Sequence, residues 1–264
     1  MARIGVAATA PFGADVLERL AARHEIAFCL TRPDRPRGRG RRPAPPPAKE
    51  AALRLSIPVL QPARLGGGLS LDARTIVAVA YGALVPPRLL ERHLWLNVHP
   101  SLLPRWRGAA PVERAIMAGD RETGVTIIEL VEELDAGPIA AQRAFPIEPD
   151  DDAGAVYARA APLAVELLAQ ALDQPRRHAQ PESGVTYAEK IGPADRELDP
   201  ALPPREALNR IRALSPHIGA RAELRGRRLT IWTARLEGGR LLPLEVQPDG
   251  RRRMTYEEFL RGLK

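Results

Sequence analysis

Aromatic side chains are scarce in this chain, at 4% of 264 residues. A core must therefore be built from Leu, Ile, Val and Ala, and the 45% apolar content is enough for a sizeable one. The single cysteine, Cys29, excludes an intramolecular disulfide and any cysteine-rich zinc site. It sits in an apolar run at residues 26–30 and reads as a small buried hydrophobe in a reducing compartment. No run of 18 apolar residues occurs, so no membrane span is expected. The N-terminus passes straight into a strand-like pattern without signal-peptide architecture. The expectation is a soluble, cytoplasmic protein. Lysine is almost missing as well: Lys49, Lys190 and Lys264 leave arginine to carry nearly all of the positive charge. The formal net charge of +7 suits a polyanionic partner, yet an Arg-, Ala- and Pro-rich composition is also what a GC-rich genome produces. Net charge alone leaves both readings open.

What is present is a succession of short apolar runs separated by helical patterns. Residues 3–8, 25–31, 75–80 and 95–99 read as strands, and residues 12–23 have helical spacing through Val16, Leu17 and Leu20. This alternation predicts an α/β fold with a Rossmann-like, mostly parallel sheet and flanking helices. In such sheets ligands bind beyond the carboxyl ends of the strands. Residues 153–173 predict a long helix whose stripe of Val156, Ala160, Leu163, Leu167, Leu168 and Leu172 packs on the sheet. Prolines then recur up to Pro204 and read as a linker over the surface. Strand-like pieces across 219–246, divided by Gly226 and Gly238-Gly239, predict a small β-rich C-terminal domain. The expected division is a catalytic domain at 1–183, a linker at 184–204 and a C-terminal domain at 205–264.

The most informative stretch is 97–139. Asn97 and His99 stand two apart at the end of an apolar run, so a strand would present both on one face. A turn-rich loop, a helix pattern and a second β-branched run follow, closing on Asp135. An amide, an imidazole and a carboxylate can therefore meet at the ends of neighbouring strands. That trio suits acyl transfer to an amine: Asn and His hold a developing oxyanion, while Asp tunes the His and helps take up a proton. The spacing alone fits a satisfied polar cluster at a strand end equally well. His24, His93, His178 and His217 lack such partners and read as surface or structural residues.

The full string narrows the choice. Asn97-Val98-His99, then Ser101-Leu102-Leu103-Pro104, Gly108 and Leu134-Asp135-Ala136-Gly137, resembles the signature of folate-dependent formyltransferases. Ser101-Leu102-Leu103-Pro104-Arg105-Trp106-Arg107-Gly108-Ala109-Ala110-Pro111, with Thr123-Gly124-Val125-Thr126-Ile127, resembles the methionyl-tRNA formyltransferase family in particular. The resemblance is strong over residues 1–190 and patchy beyond. It implies Asn97, His99 and Asp135 as catalytic residues. It also implies a folate seat at Ser101, Leu102, Leu103 and Pro104, with Tyr81 and Gly82 beside it. The implied donor is 10-formyltetrahydrofolate and the implied acceptor is the α-amine of methionyl initiator tRNA. No metal is implied, because the formyl group is already activated on the folate nitrogen. The C-terminal domain would be an oligonucleotide-binding-like barrel for tRNA, here shortened, and the protein a monomer.

Residues 32–49 carry Arg32, Arg35, Arg37, Arg39, Arg41, Arg42 and Lys49 against one acid, Asp34. Their glycines and prolines disfavour helix or strand, which predicts a projecting loop. A solvated linker is the bland alternative. Pro33-Asp34-Arg35-Pro36, followed by Gly38-Arg39-Gly40, resembles the family's insertion loop, which implies that Arg39, Arg41 and Arg42 touch the tRNA. Two departures stand out: Glu133 where the family has Gly, and Pro138 where Asp is frequent. Two other functions stay open. One is formyl transfer to a small amine such as an amino sugar nucleotide; the other is a non-catalytic relative that binds folate or tRNA.

Overall fold

The computed structural model describes residues 2–37, 42–66, 69–173 and 176–263. The chain folds as two compact units, Met1–Arg107 with Gly124–Ala144 and Ala158–Thr186, and Gly108–Thr123 with Phe145–Tyr157 and Tyr187–Lys264. In chain order the first strands are β1 (Arg3–Ala8), β2 (Glu25–Leu30), β3 (Arg35–Arg37), β4 (Arg42–Ala44), β5 (Val59–Leu60), β6 (Thr75–Val79) and β7 (Leu94–His99). Helices α1 (Pro11–Ala21), α2 (Pro47–Arg54) and α3 (Pro87–Arg92) lie between them. There follow β8 (Arg107–Gly108), α4 (Pro111–Ala118), β9 (Glu122–Glu129), β10 (Ile139–Pro146) and α5 (Ala153–Asp173).

The first unit is built on a seven-stranded sheet in the order β10-β9-β7-β6-β1-β2-β5. Strands β5, β2, β1, β6 and β7 are parallel, and β9 runs antiparallel to β7. The winding reverses between β1 and β6, which opens a crevice at their carboxyl ends. Unbroken apolar runs form these strands because both faces are covered: Val6, Ala7, Ile76, Val77, Val79 and Leu96 are fully buried. Each Val, Ile or Leu buried this way contributes about 1.5–3 kcal/mol. Helix α1 opens on Pro11, whose fixed φ suits a first helical position, and buries Val16, Leu17 and Leu20.

Helix α5 is long and apolar enough to cross a membrane by length and composition alone. Val156, Ala160, Ala161, Ala164 and Leu168 are nevertheless fully buried, as in the core helix of a globular fold. Of the expected stripe Val156, Ala160, Leu167 and Leu168 are buried, while Leu163 and Leu172 are only half-buried and Ala164 is inside instead. Cys29 is buried, and burial pushes its thiol up to about 12, so it stays protonated and inert.

The basic segment is more regular than its composition predicts. Strands β3 and β4 pair antiparallel, with Pro36 opposite Pro43, and α2 starts at Pro47. A two-stranded ribbon has only edge strands, and there a missing proline N–H is tolerated. Arg39 and Arg41 lie outside the described residues, while the backbone of Arg42 belongs to β4.

The second unit contains β11 (Tyr187–Ala188), a 3₁₀ turn (Ala194–Arg196), α6 (Pro204–Leu214), β12 (Ala220–Leu224), β13 (Arg227–Glu237), β14 (Arg240–Pro248), β15 (Met254–Thr255) and α7 (Tyr256–Arg261). Among the described residues its sheet, β12-β13-β14-β15, is antiparallel and has one strand fewer than the five of an oligonucleotide-binding barrel. Ile211, Leu214, Leu229, Ile231, Val246 and Phe259 form its core. A Thr255–Glu258 capping box opens α7. Arg225, Arg227, Arg228, Arg251 and Arg252 are exposed, and the Arg253 guanidinium lies 3.4 Å from the centroid of the Trp232 ring.

Candidate active site

Strand β7 ends at the carboxyl edge of the sheet, and its alternation puts Asn97 and His99 on one face. Asp135 reaches both from the turn between β9 and β10. The Asn97 Nδ2 donates to Asp135 Oδ1 at 3.2 Å, and His99 Nδ1 lies 3.6 Å from Asp135 Oδ2. Both acidic and imidazole side chains are nearly sealed from solvent, at 9% and 4% exposure, which strengthens any interaction between them. The other ring nitrogen, Nε2, is 2.8 Å from the Trp106 carbonyl. A carbonyl only accepts, so Nε2 carries the hydrogen, and Nδ1 is the ring nitrogen that faces Asp135. The tautomer is therefore set by Trp106, a partner the sequence reading missed when it gave that role to Asp135.

The turn that carries Asp135 is tightly specified. Asp135 has φ 47°, in the left-handed region that costs a residue with a Cβ about 1–3 kcal/mol. The Ala136 N–H donates to the Glu133 carbonyl, closing the turn. Glu133 is exposed and has no positive φ, so a side chain is accommodated where the family has glycine. Gly137 is the position that tolerates none: a Cβ there would sit 1.7 Å from the Glu129 carbonyl oxygen. Gln180 holds the turn from below, donating through Nε2 to the Asp135 and Gly137 carbonyls at 2.7 and 2.8 Å.

The loop after β7 turns back on Thr126 of β9. The Thr126 hydroxyl donates to the Ser101 carbonyl and accepts from Leu103 N–H at 3.2 Å and Gln142 Nε2 at 2.8 Å. The buried Ser101 hydroxyl donates to the Arg105 carbonyl at 2.7 Å. Leu103 packs with Ile128 and Ile139, and the Leu103-Pro104 peptide is cis. Leu102 and Pro104 stay half-exposed. Gly124 permits this arrangement, since a Cβ there would meet the Arg143 carbonyl oxygen at 2.3 Å and Leu102 Cδ2 at 2.4 Å.

A formyl transferase family model matches residues 3–172, and a methionyl-tRNA formyltransferase of Methylococcus capsulatus is 39% identical over 98% of this chain and 96% of its own length. The chain belongs to the formyltransferase family. Solved structures agree on the fold. A methionyl-tRNA formyltransferase from Clostridium thermocellum superposes with a TM-score of 0.67 at 16% identity, covering 94% of this chain and 99% of its own. HypX from Aquifex aeolicus, in complex with tetrahydrofolic acid, gives 0.68 at 18% identity over 98% of this chain and 47% of its own.

In this formyltransferase the remaining candidate residues sit close to the sheet edge but differ in what they offer. The Tyr81 side chain is buried in an apolar cluster with Ala78, Leu89 and Trp95, and its carbonyl accepts from the Thr9 hydroxyl at 2.9 Å. Gly82 is exposed at φ 71°, with its carbonyl taking the Arg32 guanidinium at 2.8 Å. Large apolar side chains are exposed on the two loops nearby: Leu84 at 80%, Val131 at 41% and Leu134 at 54%. Sequence reasoning missed Trp106, Gln142 and Gln180. Trp106 was quoted only as part of a motif, and Gln180 lies in a proline-flanked stretch with nothing to mark it.

Proposed function

We propose that this formyltransferase moves the formyl group of 10-formyltetrahydrofolate onto the α-amine of methionyl initiator tRNA. The observation that carries the reading is the full-length match to the M. capsulatus enzyme, 39% identical over 98% of one chain and 96% of the other. Asn97, His99 and Asp135 are the proposed catalytic residues. Attack of the amine on the formyl carbon forms one C–N bond while the bond to the folate nitrogen breaks. The formyl oxygen gains charge on the way. Asn97 has a second N–H beyond the one given to Asp135, and His99, whose Nε2 is committed to Trp106, presents Nδ1, which donates only when the ring holds both protons. Losing one such donor typically costs about 3–4 kcal/mol of barrier. Asp135 takes the proton that the amine sheds, directly or through water; that proton ends on the departing folate nitrogen.

The donor is proposed to lie along Leu102 and Pro104, under the exposed Leu84, Val131 and Leu134, which offer a flat ring system apolar faces. The buried Ser101, Leu103 and Tyr81 side chains shape the seat, and Gly82 lines it through its backbone. Arg39, Arg41 and Arg42 are proposed to hold the acceptor arm of the tRNA, and the 205–264 domain its body. Exposed arginines there, among them Arg225, Arg227, Arg228, Arg251 and Arg252, support a binding that weakens steeply with salt. We place the enzyme in the cytoplasm, with its tRNA, as a monomer; sedimentation velocity checks the latter. The four-stranded C-terminal sheet favours a second reading, in which the acceptor is a small amine such as an amino sugar nucleotide. Purified protein given formyl-folate with initiator methionyl-tRNA, an elongator methionyl-tRNA and amino sugar nucleotides separates the two. Rapid formylation of the initiator tRNA is expected; formylation of the sugars alone would replace this reading by the second.

A further inference from the structure

The catalytic pair is framed by two non-glycine residues with positive φ, Trp106 at 65° and Asp135 at 47°. Both are pinned by one short stretch that the sequence reads as the approach to a linker. Gln180 Nε2 donates to the Asp135 and Gly137 carbonyls, at 2.7 and 2.8 Å. Its Oε1 accepts from Arg107 Nε at 3.0 Å and Nη2 at 2.6 Å. Arg107 is itself tied by its N–H to the Thr186 carbonyl at 2.9 Å, and Trp106 N–H donates to the Thr186 hydroxyl at 2.9 Å. The Trp106 carbonyl then meets His99 Nε2 at 2.8 Å.

We infer that Gln180 is a positioning residue for formyl transfer, holding Asp135 in its left-handed turn so that the carboxylate faces Asn97 and His99. The inference rests on the catalytic roles proposed above. The amide is suited to this and its orientation is fixed. Each of its two N–H bonds meets one carbonyl, and its oxygen meets a guanidinium fork. Flipping it would set an oxygen against two carbonyls and an NH₂ against a cation. Without those donors the turn loses the contacts that oppose its backbone strain, and the carboxylate moves. A misplacement of about 1 Å at reacting groups costs about 100-fold in rate.

Gln180→Glu separates positioning from general stability. A carboxylate keeps and strengthens the link to Arg107 but offers nothing to the two carbonyls. Expected are an unchanged Tm, kcat lower by about 100-fold, KM for both substrates within about threefold, and faster hydrogen exchange confined to residues 133–137. Gln180→Ala should show the same kcat loss together with a lower Tm. A folded Gln180→Glu enzyme with near-normal kcat and unchanged exchange at 133–137 would overturn the inference, as would a loss confined to KM. If the unsubstituted protein formylates no initiator tRNA, the proposed function fails on its own. The exchange comparison, which needs no substrate, then decides whether Gln180 holds the turn.

Discussion

Replacing Asn97 in two ways gives opposite answers from size and from charge. Asn97→Ala deletes an amide that donates to Asp135 Oδ1 at 3.2 Å and is proposed to meet the oxyanion. The loss of one oxyanion donor predicts a kcat lower by about 100- to 1,000-fold, or about 3–4 kcal/mol. Asn97→Asp keeps the shape but sets a second carboxylate at the same 3.2 Å from Asp135. At an effective dielectric of about 20, two like charges at that distance repel by about 5 kcal/mol. That exceeds the deletion cost, and the new charge also faces the developing oxyanion. The near-isosteric variant is therefore expected to be the slower enzyme at pH 7, by more than about 1,000-fold against the parent. Lowering the pH should recover part of the loss in Asn97→Asp, because one of two crowded carboxylates then takes a proton and regains a donor. Asn97→Ala has no such group and should recover nothing beyond the parent's own profile. Single-turnover formylation of initiator methionyl-tRNA, with donor saturating, reads the chemical step. An Asn97→Asp enzyme faster than Asn97→Ala at pH 7 would refute the proximity argument.

Gly137→Ala should cost about 1–3 kcal/mol of stability by chemical denaturation and about 100-fold in kcat, since its Cβ would overlap the Glu129 carbonyl and the turn bearing Asp135 must shift; parental values for both would be inconsistent with that packing. Asp195 is held below the usual carboxylate range by Arg114, which donates at 2.7 and 3.0 Å, with the Gly192 N–H adding a further bond. Because the folded value is the lower one, its contribution is present above the unfolded value of 3.8 and is lost as pH falls through the folded one. Asp195→Asn should thus destabilise by about 1–2 kcal/mol at pH 7 and by progressively less in acid, as followed by denaturant midpoints. Arg39→Ala should raise KM for initiator tRNA with little change in KM for the folate donor; tRNA kinetics that stay at parental values would remove the loop from the acceptor site.

The sheet and the trio were legible in the sequence because both depend on local pattern. β1, β6 and β7 are apolar runs buried on both faces, and a two-residue spacing on a strand fixes a shared face wherever the strand lies. The hairpin of β3 and β4 was not legible, since Pro36 and Pro43 argue against a strand in general and are tolerated only where no third strand needs their N–H. The helical stripe of α5 was legible at Val156, Ala160, Leu167 and Leu168 and missed at its edge, where leucine outweighs alanine in a pattern: Leu163 and Leu172 are half-buried, while Ala161 and Ala164 pack closely inside.

What fixes the chemistry of His99 was the least legible part, because it is long-range and carried by backbone carbonyls, which have no signature in the side-chain sequence. The imidazole tautomer depends on the Trp106 carbonyl, and the orientation of that carbonyl depends on a left-handed Trp106 whose N–H is held from 80 residues away in sequence by Thr186. The carboxylate is placed the same way, through a turn held from 45 residues away by Gln180. The proposed reacting groups thus come from motif residues, and the contacts that hold them come from a stretch that composition assigns to a linker. The departure at Glu133 is mild by the same logic: the position has ordinary φ and its carbonyl still closes the turn, so the strain falls on Asp135 and the steric demand on Gly137, both of which this chain keeps.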